Sequence, residues 1–352
     1  MTVVSYDLGM RTVPTLEDVA KVAGVSRATV SRVIHNQRRV APELTEVVER
    51  AIAATGYVPN RAARSLVTGR TGSVLVAVTG TAPDAHGGLH DADVFADPFF
   101  SRVVGGFVRS LRTRDVHPTL MLVESDADRA RLIASLRQGM ADGVLLVSTL
   151  AGDPLPRMLV DATVPAVAFA RPAEALPISF VDVANQDGAR FAADHLAARG
   201  CRQTGVITGP LAVPAALDRL SGFRTAMARH GNAYVPAVEG NFTVSSGRAA
   251  MVQLLDATPE VDGVFASNDL MALGAIDELQ HRGRRVPDDV AVVGFDDHTL
   301  AALSRPPLTT VRQPIEEMAG RMAQMLLDEI DAPERQVSSA IFEPVLVVRV
   351  SA

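Results

Sequence analysis

Two kinds of stretch in this chain bring together side chains that can do chemistry. The first is "SRATVSR", Ser26 to Arg32, with Arg38 and Arg39 close behind it. A guanidinium can donate a bidentate pair to the major-groove edge of guanine. Hydroxyls and further arginines can hold phosphates, which fix register without reading sequence. Arg27, Ala28, Thr29 and Arg32 suit contact with bases, Thr29 and Ser31 suit a base or a phosphate, and Ser26, Arg38 and Arg39 suit phosphates. The bland alternative is a small helical bundle that merely carries arginines. The second kind is an apolar run that ends in polar residues. "VFASNDLMALGA" puts Asn268 and Asp269 at such an end, and "VAVVGFDD" puts Asp296 and Asp297 at another. Amides and carboxylates there can bind the hydroxyls or amines of a small ligand. They can equally cap the helices that follow.

Other chemistries find no support. Glycines cluster in "TGRTG" and "VVGGF", but no G-x-G-x-x-G follows a strand-like run, and there is no Walker motif. There is no G-x-S-x-G and no pairing of a nucleophile with its base. His86, His90 and His117 are near one another in sequence without a metal-ligand pattern. No catalytic residue, metal or cofactor is therefore expected.

The arginine-rich stretch must be held by helices. Thr15 can cap a helix with Asp18 closing a capping box. Leu16, Val19 and Ala20 share one face, and Gly24 breaks the pattern. Ser26 can cap a second helix that buries Val30 and Val33. A third helix from Pro42 to Thr55 has Val47, Val48, Ala51 and Ile52 as its stripe, with Gly56 just past its end. Helix, tight turn, helix is the outline of a helix-turn-helix, whose second helix meets base edges. The segment "NRAARSL" that follows is a linker or a helix too short to stand alone in water. It can fold only against a partner chain or DNA.

From Ser73 the pattern changes to short apolar runs alternating with amphipathic helices. Such strands belong to parallel sheets covered on both faces. Two consecutive series, with a break near Arg171 to Ile178, indicate two doubly wound lobes. Ligands bind at the carboxyl ends of the strands in such sheets, so those ends can face one another across a cleft.

Composition agrees with this division. Residues 1–72 hold ten Arg or Lys against six Asp or Glu, whereas the other 280 hold 24 against 34. A basic front suits a polyanion while an acidic body stays off it. Cys201 is the one cysteine, which fits a reducing compartment. No signal peptide and no membrane-spanning run is seen.

The chain resembles the lactose-repressor/galactose-repressor family of bacterial transcription regulators over nearly all its length. "VAKVAGVSRATVSRVI", "GYVPNRAARSLVTGRTG", "DPFFSRVVGGF", "RLSGFRTAM", "SNDLMALGA", "VPDDVAVVGFDD" and "PPLTTVRQP" stand in family order. The resemblance implies an α/β protein: an all-α helix-turn-helix headpiece (1–58), a hinge helix and linker (59–72) and a two-lobed, periplasmic-binding-protein-like body of doubly wound parallel sheets (73–352). It also implies three crossings between the lobes. The lobes are expected at about 73–172 with 304–331, and 173–303 with 332–352. Base reading falls to Arg27, Ala28 and Arg32. Asn60, Arg64 and Leu66 match hinge positions, with Leu66 the residue that enters the minor groove. Phe99, Phe100, Arg219, Phe242, Asn268, Asp296 and Gln313 match effector contacts.

Certain positions depart from the family pattern. Ala170, Ala184, Ala215 and Leu217 stand where polar residues are usual, and the link at about 80–96 is long and rich in Gly, His and Asp. His35 replaces a common Asn. Ala41 replaces a Ser cap, which should weaken the third helix by roughly 1 kcal/mol. The expected function is a ligand-regulated, sequence-specific DNA-binding regulator, a repressor in the cytoplasm at the nucleoid. Its expected partners are palindromic double-stranded operator DNA, a small polar effector such as a sugar, and a second copy in a homodimer, with no membrane. A solute-binding module without a DNA role is the alternative.

Overall fold

The computed structural model describes residues 14–34, 40–58, 69–79, 97–147, 150–332, 334 and 336–352. Arg38, Asn60, Arg64, Leu66 and the link at 80–96 lie outside the described residues. The chain divides into two compact units, Met1–Thr71 and Gly72–Ala352.

In the first unit, helices α1 (Leu16–Ala23), α2 (Arg27–Ile34) and α3 (Pro42–Thr55) enclose Val19, Ala20, Val30, Val48 and Ala51. Thr15 and Asp18 form the reciprocal capping box of α1. Gly24 ends α1 at φ 67°, a left-handed conformation that opens the tight turn into α2 without steric cost. The Ser26 hydroxyl accepts the Thr29 N–H at 3.1 Å. Ala41 offers α3 no side-chain cap, and Pro42 occupies its first turn.

The second unit runs β1 (Ser73–Val78), α4 (Pro98–Arg112), β2 (His117–Leu122), α5 (Asp126–Arg137), β3 (Val144–Val147), α6 (Leu155–Asp161), β4 (Ala166–Phe169) and β5 (Ser179–Val183). It continues with α7 (Asn185–Ala198), β6 (Thr204–Thr208), α8 (Pro214–Arg229), β7 (Ala237–Glu239), α9 (Val244–Ala257), β8 (Gly263–Ala266), α10 (Asp269–His281) and β9 (Ala291–Asp296). Last come α11 (Thr299–Leu303), β10 (Thr309–Arg312), α12 (Ile315–Asp331), β11 (Ser339–Phe342) and β12 (Val345–Val347).

The strands form two six-stranded sheets, β11-β5-β4-β3-β1-β2 and β12-β10-β9-β8-β6-β7. Pairing is parallel throughout, except that β12 runs antiparallel to β10. Both faces of the inner strands of each sheet are buried, which is why strands such as β1, β3, β4 and β8 read as continuous apolar runs. Along β1, Val74, Val76 and Val78 face one core, while Leu75 and Ala77 face the other. The second sheet likewise separates two cores, one around Ile207 and Val264, the other around Val206 and Phe265.

The lobe boundaries need correction. The chain passes between the sheets three times, after β5, after β10 and between β11 and β12. The first crossing therefore falls at Ala184, not near residues 171–178. Asp182 is buried inside β5 and interrupts the apolar run that would have marked a strand. Strand β10, assigned above to the first lobe, pairs with β9 in the second; its Thr309 and Thr310 are fully buried polar residues. Strand β11, assigned to the second lobe, pairs with β5 in the first. Among the described residues no helix is long and apolar enough to cross a membrane.

Candidate functional site

The headpiece presents a polar face on α2. Ser26, Arg27, Ala28 and Arg32 are exposed, and Thr29 and Ser31 are half-buried beside them. The face is held from below by Val30 in the core. Ser26 and Thr29 share a hydroxyl contact of 2.9 Å. Arg27 pairs with Glu17 of α1 at 3.0 Å. Both partners are well exposed, so this pair is weak and easily exchanged for a phosphate or a base.

In the body, the seven residues expected to contact an effector all line one cavity between the two lobes. It is a concave site with many apolar and a few polar side chains, the usual make-up of a small-molecule site. Every one comes from the carboxyl end of a strand or the helix after it, because both sheets point those ends at each other. The first lobe supplies Phe99 and Phe100 from α4, with Phe169 from β4. Phe99 meets both other rings edge-on at 5.3 Å. The second lobe supplies Phe242 after β7, Asn268 after β8, Asp296 at the end of β9 and Gln313 after β10.

Arg219 of α8 is buried at the centre. Its Nε donates to Asn185 Oδ1 at 2.8 Å and its Nη1 donates to the Ser267 carbonyl at 2.6 Å. Its guanidinium lies 3.7 Å from the centre of the Phe295 ring, and 3.8 Å separates Nη1 from Asp296 Oδ1. Asn185 in turn donates to Asp182 Oδ1 at 3.0 Å. Asn268 is both a cap and a wall: its Oδ1 accepts from Met271 N, and its Nδ2 donates to the Phe242 carbonyl. Gln313 donates to Asp296 Oδ1. Gly209 fits beneath Phe242, where a Cβ would come 2.1 Å from the ring.

Backbone strain concentrates here. Ala170, Phe242 and Asp296, all lining the cavity, have φ of 71°, 65° and 111°. Non-glycine residues held there mark over-determined, functional geometry. Asp297, at φ 51°, is held by Arg312 and Arg349.

Burial governs the carboxyls. It pushes Asp97 up to about 7, against the Phe99 N–H bond and with help from the charge on Asp296. It pushes Asp296 up to about 6, with Arg219, Gln313 and Arg102 opposing. Asp182 and Asp269 are also raised by burial. Burial lowers Arg219, while Asp296 and Asp182 act to keep it charged.

The lobes also touch each other directly, at the cavity wall and beyond it. Arg171 Nη2 reaches Asp218 Oδ2 at 2.8 Å, the Ala151 N–H donates to the Ala212 carbonyl at 2.7 Å, and Arg102 Nη1 donates to the Asp296 carbonyl at 3.0 Å. Sequence reasoning had not assigned Asp97, Phe169, Asp182 or Asn185 to the site. Asp97 carried one usable signal: it caps α4 immediately before a proline. Asp182 carried none that distinguishes it from a residue at a strand end. Among the described residues no group of His, Cys, Asp and Glu suits a metal.

The comparisons with known proteins agree with this architecture. Residues 15–60 match the family "Bacterial regulatory proteins, lacI family", and residues 193–352 match a periplasmic binding protein-like domain. The HTH-type transcriptional regulator CelR of Thermobifida fusca is 43% identical over 343 residues, covering 96% of this chain and 98% of the relative. A solved CelR–cellobiose complex superimposes with a TM-score of 0.74 at 41% identity, covering 96% and 100% of the two chains. The lac repressor dimer bound to operator and the anti-inducer ONPF gives 0.82 at 27% identity, covering 97% and 99%. With a headpiece of helix-turn-helix form, a two-lobed body around a ligand cavity and a relative of this identity along almost its whole length, the chain belongs to the LacI family of bacterial regulatory proteins and is a ligand-regulated, sequence-specific DNA-binding transcription regulator.

Proposed function

We propose that the protein is a cytoplasmic repressor that binds a palindromic operator as a homodimer and answers to a carbohydrate effector held between its lobes. The cavity carries the reading: aromatic faces from both lobes enclose a small set of amides and carboxylates around one buried arginine. Rings of this kind stack on the C–H faces of a sugar while the polar groups take its hydroxyls. The cellobiose in the CelR complex makes a glucose disaccharide the first candidate. The lac repressor dimer on its operator is the precedent for the assembly.

On the DNA, Arg27, Ala28 and Arg32 read bases from the exposed face of α2, with Ser26, Thr29, Ser31 and Arg38 on phosphates or neighbouring bases. Asn60, Arg64 and Leu66 form the hinge that enters the minor groove. The effector biases the lobes toward one geometry by its difference in affinity for two states. That bias sets whether the hinge is ordered for DNA.

Selection of binding sites from genomic DNA with the full chain, repeated with and without cellobiose, tests the reading. A palindromic site whose occupancy changes with the sugar supports it. No sequence preference in either condition would remove it.

A further inference from the structure

Every guanidinium around the effector cavity is already matched. Arg171 pairs with Asp218, Arg102 pairs with Glu316, and Arg219 faces Asp296 while donating to Asn185 and Ser267. The carboxylates outnumber them. Asp97, Asp182 and Asp296 line the cavity, and Asp269 lies just behind Asp296. Asp97 comes from the first lobe and Asp296 from the second, and the two stand near enough for the Asp296 charge to act on Asp97. Each has one oxygen engaged, Asp97 Oδ1 by the Phe99 N–H and Asp296 Oδ1 by Gln313. Neither remaining oxygen accepts a hydrogen bond from a described residue. An unengaged carboxylate oxygen is an acceptor for a hydroxyl, and it repels an anion.

We infer that Asp97 and Asp296 are the charge filter of this cavity: together they admit an uncharged polyhydroxylated effector and reject its phosphorylated or carboxylated forms. This rests on reading the cavity as the carbohydrate site. A neutral sugar gives each free carboxylate oxygen a hydroxyl donor and takes the Nη2 donors of Arg219 that no described residue uses. A phosphate or carboxylate brings no such donor. It enters a space where the nearest cation is balanced by carboxylate and where low dielectric strengthens repulsion. An anion held there must either bear that repulsion or be accompanied by protonation of the acids. That cost appears as lost affinity.

The test is calorimetry on the full chain at pH 7.5 with matched probes: cellobiose against cellobionate and cellobiose 6′-phosphate, and glucose against glucose 6-phosphate. The expected result is binding of a neutral probe and a loss of about a hundredfold or more for its anionic counterpart. Asp97→Asn keeps an effective helix cap and removes one charge. It should narrow the neutral-to-anionic ratio by about tenfold while the protein stays folded, and Asp296→Asn should act in the same direction. A merely structural role for either acid would weaken both kinds of probe alike and leave the ratio unchanged. An anionic probe that binds as tightly as its neutral partner, or an unchanged ratio in both variants, overturns the filter and leaves the carbohydrate reading standing. Failure of every probe, neutral and charged, removes the carbohydrate reading and the filter with it.

Discussion

The Asn268 side-chain amide donates a 2.9 Å hydrogen bond to the carbonyl of Phe242, whose backbone is held in the left-handed region. The same amide's oxygen caps α10 through Met271 N at 2.9 Å. One side chain thus begins a helix and fixes an aromatic wall. The two jobs separate in Asn268→Ser. Serine can still cap the helix, so stability should fall by less than about 1 kcal/mol. It is too short to reach Phe242, so effector affinity should fall by about tenfold. Thermal melting and calorimetry on one preparation check both, and equal ligand affinity in variant and parent would rule out the wall-holding role.

Gly209→Ala tests the same wall from beneath. Its Cβ would stand 2.1 Å from the Phe242 ring, so the ring must move or the strand end must. Overpacking of this kind costs about 1–3 kcal/mol. The variant should melt lower and bind effector more weakly. A crystal structure of the variant with Phe242 in its original place would refute the steric argument.

The titration of Asp97 sets a stability window. Burial raises its carboxyl from 3.8 to about 7. Between those values the folded chain holds a proton that the unfolded chain has released. Stability from this group is therefore fully present below the lower value and is lost as pH rises through the upper one, by up to about 4 kcal/mol. Asp296, raised to about 6, adds to the fall. Asp97→Asn should flatten the drop in melting temperature between pH 5 and 8. If variant and parent lose stability in parallel across that range, Asp97 does not hold the proton.

Arg32 is exposed on α2 and has no ion-pair partner among the described residues, unlike Arg27 with Glu17. Arg32→Ala should cost about 1–3 kcal/mol on the operator and relax preference at one base pair. Gel-shift titrations on operator and random DNA decide the matter. Equal losses on both would make Arg32 a phosphate contact.

Leu66→Ala removes apolar surface without changing charge. Non-specific binding should hold, because it depends on phosphate neutralisation. Operator affinity and the DNA bend should both fall, because an apolar wedge drives the unstacking. Bend-angle measurement by circular permutation of the operator checks this. An unchanged bend with unchanged affinity would remove the wedge.

The headpiece was readable from local signals alone, since caps, a turn glycine and a helical stripe all lie within a few residues of one another. The strand cores of the body were readable for a related reason: fully buried strands are apolar without interruption. What escaped was set by long-range pairing. The threonines of β10 are polar residues inside a buried strand, satisfied by Asp269 and the Ala352 carbonyl far along the chain, while Asp182 is buried in β5 on the bonds of its near neighbours Arg171, Val183 and Asn185. The cavity follows the same division. Arg219, Asn268 and Asp296 stand in motifs, and so does Asp97 at the head of "DPFF", but the influence of the Asp296 charge on Asp97 and of Arg219 on Asp182 depends on the lobes being brought together.

The three crossings have a consequence for how such a protein can be rebuilt. Neither lobe is a continuous piece of chain: β11 belongs to one sheet, β12 to the other, and only Glu343 and Pro344 separate them. A single splice inside the body would leave both lobes missing strands. A single splice near Thr71 cuts between the two compact units and leaves each intact. Recombination can therefore exchange the DNA address without disturbing the chemical signal, or the signal without the address, while the two halves of the signal receiver must be inherited together.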